Sequence, residues 1–333
     1  DSVEQIGFSY GRVLEPALGI GNFFGLMPAE MSARSQLIGI ELDPLTASIA
    51  RRLYPDADIR PQGFESAVLP NESFDLAISN VPFGDYKLHD SQLNEHNFLI
   101  HDYFFAKAME KVRDGGLVVF VTSKGTLDKV DSSLRDYLHA RADLIGAIRL
   151  PNSAFKQNAN TEVTADIVFL RKRAEGEQPK GPPWLNLADN LNRAGEALHI
   201  NEYFAANPQM MLGQMANAGT MYRSHEPALV PDGRDLGDAL REAVARLPQG
   251  IYHALPVTTE RNVVETIIAP DDVKENAFTL HEGRITIRTG ATLTQVANLP
   301  EGTARRAPGG LQVRCAVPQL PTRALNAAAE DEL

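Results

Sequence analysis

Cysteine is almost absent. With Cys315 as the one thiol, an internal disulfide and a cysteine-built zinc site are both excluded. No apolar run approaches the roughly 18 residues of a membrane span. Asp1–Tyr10 has neither the basic nor the apolar stretch of a signal peptide. The expected location is cytoplasmic, with no membrane partner. Positive charge is also in short supply: 32 Lys and Arg stand against 43 Asp and Glu, a net charge of −11, and neither half of the chain is basic. That argues against a broad cationic coat for nucleic acid, so affinity of this chain alone for such a partner is expected to be modest. Internal repeats are lacking too. What is present is ordinary for a folded protein: 43% hydrophobic and 23% charged residues over 333 positions, a length that suits about two domains.

The first 173 residues alternate strand-like and helix-like runs. Arg12–Leu14, Gln36–Glu41, a weak Ala57–Arg60, Phe74–Ser79, Leu117–Thr122, Leu144–Leu150 and Asp166–Arg171 read as strands. Pro44–Leu53, with Asp43 as N-cap and Pro44 at the first helical position, reads as a helix, as do Asn97–Val112 and Ser132–Ala142. Asp114-Gly115-Gly116 is expected to turn the chain. The pattern predicts an α/β fold with a mainly parallel sheet. No helix separates the last two strands, so the final one is expected to return antiparallel. Ala174–Pro183 reads as a linker or surface crossing. Residues 184–333 are less regular, with a helix at Leu236–Leu247, strands at Val263–Ile268 and Arg284–Arg288, a loop at Glu301–Gly310 and a frayed tail at Asn326–Leu333. The expected division is 1–173, a linker at 174–183, and a smaller irregular α+β region at 184–333.

Ligands of open parallel sheets bind at the carboxyl ends of the strands, and three features fall there. Glu15-Pro16-Ala17-Leu18-Gly19-Ile20-Gly21-Asn22-Phe23 is a glycine turn preceded by an acid. Position 24 is Phe24, where a dinucleotide site would have a third glycine, so a pyrophosphate fits poorly and a cationic ligand group fits better. Glu41, about 20 residues beyond Gly21, can accept from both hydroxyls of a ribose. Asn80-Val81-Pro82-Phe83-Gly84 places two acceptors, the Asn80 amide and a backbone carbonyl, next to an aromatic ring. Each has a plain alternative: a packing turn, a solvated acid, an Asx turn beside a core phenylalanine.

Together, in this order and spacing, the three resemble the N6-adenine DNA methyltransferases of the gamma arrangement. Glu15–Phe23 looks like their S-adenosylmethionine loop, Glu41 like their ribose-binding acid, and Asn80–Phe83 like their Asn-Pro-Pro-Tyr/Phe motif. Arg113–Ser123, Leu150-Pro151-Asn152, Phe155 and Thr164–Leu170 look like the closing strands of type I modification subunits. A narrower likeness, carried by Asn80–Gly84, Ile148–Leu170 and Ile200–Gly213, is to the methylase part of large helicase–methyltransferase fusions of plasmids and phages.

The resemblance implies a Rossmann-like class I methyltransferase fold with a seven-stranded sheet over residues 11–173. It implies S-adenosylmethionine held by Glu15, Pro16, Ala17, Gly19, Gly21, Phe23, Glu41, Leu42, Phe64 and Asn80. Asn80, Val81, Pro82 and Phe83 would be catalytic, Phe83 and Phe155 would receive a flipped adenine, and no metal would be needed. The implied partners are DNA and a helicase module of the same or a larger protein, in a restriction-modification setting. Three departures stand out. Val81 replaces the first proline of the motif. Gly63-Phe64 stands where an Asp-Phe pair is usual, so Glu65 or Gln62 would have to supply the missing carboxylate or amide. The chain starts just before its first strand, as a fragment or shortened relative would. A methyltransferase fold kept only as a scaffold, or transfer to RNA adenine or a protein amide, are the alternatives.

Other polar residues carry weaker readings. His89, His96 and His101 lack zinc spacing, and Asp85–Asn97 reads as a mobile loop over substrate. Lys124 and Lys129 are candidate phosphate contacts. Arg171-Lys172-Arg173 reads as a phosphate contact or a solvated strand end, and Trp184 as a packing anchor.

Overall fold

The computed structural model describes residues 1–90, 92–156, 163–191, 197–219 and 226–254, together with strands at 267–268, 278–281, 284–289, 292–295, 304–307 and 310–313. The chain divides into two compact units, Asp1–Leu255 and Pro256–Leu333. Among the described residues no helix is long and apolar enough to cross a membrane.

The first unit is built on a seven-stranded sheet: β1 (Arg12–Glu15), β2 (Gln36–Glu41), β3 (Asp58–Pro61), β4 (Phe74–Asn80), β5 (Val112–Ser123), β6 (Ala142–Leu150) and β7 (Ala165–Lys172). Their order is β3-β2-β1-β4-β5-β7-β6. All run parallel except β7, which lies antiparallel between β5 and β6. The unbroken apolar run Leu117–Phe120 is buried throughout because helices cover both faces of a parallel sheet. The helix Ile100–Lys111 is buried nearly all round, its Phe105 ring 5.0 Å from Phe120 of β5. The helix Pro44–Leu53 starts as expected, with the Thr46 N–H donating to Asp43 Oδ2 at 2.8 Å.

Asp114-Gly115-Gly116 is not a turn between elements. It lies inside β5, where the pairing jumps from Phe74↔Val112 to Leu76↔Leu117. Gly115 takes φ 73° at this bulge. Asp75 holds it from the next strand, accepting from Arg113 Nε at 2.6 Å, from the Arg12 N–H at 2.7 Å and from the Tyr252 hydroxyl at 2.9 Å. The ladder resumes beyond the insertion, so the glycines bend a strand instead of ending one.

Arg171-Lys172-Arg173 also lies elsewhere than a phosphate or solvent reading would put it. Because β7 is antiparallel, its last residues reach the amino end of the sheet, away from the ligand end. Arg171 pairs with Glu177 at 3.0 Å, Lys172 Nζ donates to the Val112 carbonyl at 3.0 Å, and Arg173 pairs with Asp143 at 2.8 Å.

Beyond the sheet, Trp184, Ile200, Tyr203, Phe204, Met210 and Leu212 belong to the same hydrophobic core. Antiparallel pairs form between Leu187–Leu191 and Ala197–Asn201 and between Gln214–Gly219 and Glu226–Val230, and a helix forms at Leu236–Ala245. A buried polar cluster ties this segment to the sheet. Arg149, fully buried on β6, forks onto Asp166 at 2.7 and 2.8 Å, reaches Asp128 at 2.7 Å and lies 4.2 Å from the Phe204 ring centre. Asp128 accepts the Asn201 N–H at 2.9 Å, and the Asn201 amide donates to the carbonyls of Leu127 at 3.0 Å and Trp184 at 2.8 Å. Replacing Arg149 by Met strands two carboxylates in the interior. The expected loss is about 3–5 kcal/mol of unfolding free energy, to be read from urea denaturation at pH 7.

The second unit holds an antiparallel sheet of Ile267–Ile268, Thr292–Gln295, Arg284–Thr289 and Phe278–His281. The stretch expected as a loop at Glu301–Gly310 contains a strand, Ala304–Ala307, paired with Gly310–Val313. Residues 263–266, Cys315 and the tail from Asn326 lie outside the described residues.

Candidate active site

Three hydrogen bonds draw the carboxyl ends of β1, β2 and β4 together. The Leu18 N–H donates to the Ile40 carbonyl at 2.9 Å, the Gly19 N–H to Glu41 Oε2 at 2.7 Å, and the Ser79 hydroxyl to the Ala17 carbonyl at 3.4 Å. The glycine loop, the acid after β2 and the segment after β4 therefore share one rim, as their positions at strand ends predict. Gly19 and Gly21 take φ 57° and 86°, a left-handed region that other residues rarely enter. A Cβ on Gly21 would stand 2.4 Å from the Tyr54 ring, whereas one on Gly19 would meet nothing within 4 Å. The space over Gly19 is thus open to a ligand. Pro16 is buried, Ala17 and Phe23 are half-buried, and Leu42 is exposed next to Glu41.

The two acids at this rim differ. Each oxygen of Glu41 takes one backbone N–H, the second from Asp43 at 2.8 Å. Each keeps a further lone pair for a hydroxyl donor. Glu15 is 2% exposed, and its Oε2 has no hydrogen-bond partner among the described residues. Burial, and after it the charge of Glu41, push its carboxyl up to about 9. It is a neutral acid at pH 7 that a cation would ionise.

Asn80 ends β4 with its side chain exposed, while Val81 is buried and anchored by its N–H to the Val121 carbonyl at 3.0 Å. Among the described residues, neither the Asn80 amide nor the Val81 carbonyl has a hydrogen-bond partner. Pro82 and Phe83 follow half-buried, Phe83 packed against the core. Phe155, also half-buried, follows β6 at the same end of the sheet. Three strand spacings separate β4 from β6, a distance of about 14 Å.

Phe64 follows β3 at the same end of the sheet and turns its ring into the core. It is 2% exposed, with its ring 5.1 Å from Phe104, 6.3 Å from Tyr103 and 5.2 Å from the Lys107 ammonium. Beside it, the half-buried Glu65 carboxylate folds over Gly63, so a Cβ on residue 63 would stand 2.0 Å from Glu65 Oε1. The missing side chain of residue 63 is what makes room for the carboxylate of residue 65.

The histidines part company. His89 Nδ1 meets the Asn94 amide at 3.2 Å, His96 stacks on Phe98 at 5.1 Å, and His101 is buried with Nε2 3.5 Å from Asp102. Among the described residues no group of three His, Cys, Asp or Glu could hold a metal ion. Lys129 is spent on an ion pair with buried Asp102. The residue that sequence reasoning passed over is Lys107, which contacts both Glu65 and Asp90. Its one local signal is its spacing, three and four residues beyond Phe104 and Tyr103 on a helix whose apolar residues face the core.

The strand order, with β7 inserted antiparallel between β5 and β6, decides the fold. This is the class I S-adenosylmethionine-dependent methyltransferase fold. Comparison with known proteins finds 28% identity over 171 residues to Defense against restriction protein B of Escherichia phage P1. The match takes in 50% of this chain and 7% of that protein, so the chain spans a small part of its relative. Among solved structures, a Listeria monocytogenes protein described as a class I S-adenosylmethionine-dependent methyltransferase aligns at TM-score 0.46 and 19% identity, over 54% of this chain and 60% of that one. The type I restriction-modification methyltransferase subunit of Streptococcus thermophilus aligns at TM-score 0.43 and 16% identity, over 51% and 41%. No family model matches the chain. Within this methyltransferase fold, the glycine loop, Glu41 and Asn80–Phe83 occupy the ligand end of the sheet.

Proposed function

We propose that residues 1–173 bind S-adenosylmethionine and transfer its methyl group to the N6 amino group of adenine in DNA, with the target base swung out of the duplex. The observation that carries this reading is the pair of unengaged acceptors, the Asn80 amide oxygen and the Val81 carbonyl, on the same rim as the open glycine loop.

The cofactor fits the residues present. The unpartnered acceptor of Glu15 suits an ammonium group, the remaining lone pairs of Glu41 suit two ribose hydroxyls, and the space over Gly19 admits close approach. Glu65, poised over Gly63, stands in for the acid absent at that position. When bound, S-adenosylmethionine supplies an electrophilic methyl group on a sulfonium. The protein does the rest by position. An adenine N6 is a weak nucleophile because its lone pair is conjugated into the ring. Asn80 and Val81 accept both N6 hydrogens and turn that lone pair toward the methyl group. Phe83 and Phe155 flank the unstacked base, each stack contributing about 1–3 kcal/mol against the cost of flipping.

Residues 184–333 serve as the accessory region, toward DNA or a neighbouring helicase module. With a net charge of −11, this chain depends on another basic surface for most of its DNA affinity. The likeness to a phage protein named for defence against restriction favours a restriction setting.

The test is calorimetric titration with S-adenosylhomocysteine, followed by transfer of labelled methyl groups to DNA lacking N6-methyladenine. Glu41→Ala is expected to weaken the ligand about 100-fold, since two hydrogen bonds to a charged carboxylate are lost. A wild-type chain that ignores the ligand would sink the cofactor reading. One that binds it but labels no adenine would sink the substrate reading.

A further inference from the structure

Lys107 stands on the helix Ile100–Lys111, and its side chain is 6% exposed. Its ammonium makes two contacts that face different parts of the site. One is with the Glu65 carbonyl at 3.0 Å, in the Gly63–Ser66 turn beside the cofactor rim. The other is with Asp90 Oδ2 at 2.8 Å, in the loop that follows Asn80–Phe83. Asp90 is itself a centre. The Tyr103 hydroxyl donates to it at 2.6 Å, and its Oδ1 accepts the Gln92 N–H at 3.0 Å. Its own N–H donates to Asn94 Oδ1 at 2.8 Å, and its carbonyl accepts the N–H groups of Leu93 and Asn94 at 3.0 and 2.9 Å. Burial would raise the Asp90 carboxyl, but the hydrogen bonds from Lys107 and Tyr103 more than reverse this and hold it below the usual range. One buried ion pair therefore fastens the turn behind the cofactor to the loop behind the target base.

We infer that Lys107 and Asp90 are positioning residues that transmit occupancy of the cofactor site to the loop between Gly84 and Leu99, and so set the Asn80–Phe83 segment for its substrate. The inference rests on the cofactor reading above. Its physical basis is that Lys107 is one short, nearly dry link with a fixed partner on either side. A shift of the Phe64–Glu65 turn against a ligand moves the ammonium. Asp90 cannot stay behind without leaving a charge unpaired in the interior, a costly state. A loop docked only by apolar contacts would have no such obligation. The arrangement also accounts for a lysine buried between two aromatic rings, Phe64 at 5.2 Å and Tyr103 at 5.7 Å, which packing alone would fill with leucine or methionine.

The experiment is hydrogen–deuterium exchange of the whole chain with and without saturating S-adenosylhomocysteine. In the wild type, the ligand should slow exchange in peptides of the loop before Ile100 by about fivefold or more. In Lys107→Met, ligand binding measured by calorimetry should persist and the Gly63–Ser66 turn should still be protected, while the loop response disappears. Asp90→Asn keeps an acceptor for Tyr103 and loses the charge. It should show the same uncoupling in a milder form, and it decides the matter if Lys107→Met fails to fold. A loop response that survives in ligand-saturated variants would make the pair merely structural and overturn the inference, as would a wild-type loop that ignores bound ligand. A wild type that binds no S-adenosylhomocysteine would strike the cofactor reading itself, which is a separate result.

Discussion

Asn80→Ala is expected to lower methyl transfer to DNA by about 10²–10³-fold or more, while S-adenosylhomocysteine affinity stays within about threefold of the wild type. The exposed Asn80 side chain has no hydrogen-bond partner among the described residues, so its removal breaks no contact of the fold. The backbone that presents it is held separately, by the buried Val81 side chain and the Val81 N–H on Val121. What is lost is one of two acceptors for the N6 hydrogens, an interaction that matters most as the amino nitrogen pyramidalises. The effect therefore belongs in kcat more than in ligand binding. Asn80→Asp keeps an acceptor and should retain more activity than Ala. The measurement is single-turnover transfer of a labelled methyl group, paired with calorimetry on the same preparations. Undiminished transfer by Asn80→Ala would show that the segment after β4 does not carry the chemistry, and a folded scaffold would become the better account of the whole domain.

The second large effect is a pH dependence centred on Glu15. Its carboxyl has an ordinary value of 4.5 and is raised to about 9 in the folded chain, first by burial and then by Glu41. Below 4.5 the group is protonated in both states and costs the fold nothing. As pH rises from 4.5 toward 9, the unfolded chain loses the proton and the folded chain keeps it. Stability therefore falls by ~1.4 kcal/mol per pH unit from this group alone, and levels off above 9. Across the whole window that is on the order of 6 kcal/mol. Glu15→Gln, which cannot ionise, should flatten the slope. Urea denaturation at pH 5, 7 and 8.5 measures it, and equal slopes in wild type and variant would remove Glu15 as its source. The same burial makes ligand binding a proton-linked event. An ammonium group placed against Glu15 favours its ionised form, so binding near pH 7.5 should release about one proton. Calorimetry in buffers of different ionisation enthalpy counts that proton, and Glu15→Gln should release none.

The rim proposed to hold the cofactor and the segment proposed for catalysis share a design. Among the described residues, the groups proposed to touch ligand, Glu15 Oε2, the Asn80 amide and the Val81 carbonyl, have no hydrogen-bond partner. The groups that hold them are satisfied, among them the Gly19, Asp43 and Val81 N–H groups. Acceptors left open beside satisfied scaffold groups are what the proposed ligand contacts require.

Local chemistry alone settled much of this protein. Strand runs such as Gln36–Glu41, the capped start at Asp43-Pro44, the glycine turn after Glu15 and the Asn80–Phe83 segment each announce themselves within a few residues. Hydrophobic period, turn residues and caps act over that range. Because the ligand end of a parallel sheet follows from topology, those short signals also located the rim. Tertiary structure decided the rest. Asp114-Gly115-Gly116 became a bulge because β4 pairs with β5 on both sides of it, at Val112 and again from Leu117. Arg171-Lys172-Arg173 faces inward at the far end because β7 runs backward. The Phe64 ring packs into the core, and Lys107 and Arg149 became the buried centres of networks in which their direct hydrogen-bond partners lie 17 to 42 residues away. A charged side chain carries no mark of its partner along the chain. Whether it is solvated, paired or catalytic depends on which distant residue the fold brings to within hydrogen-bonding distance, and on how much water remains between them.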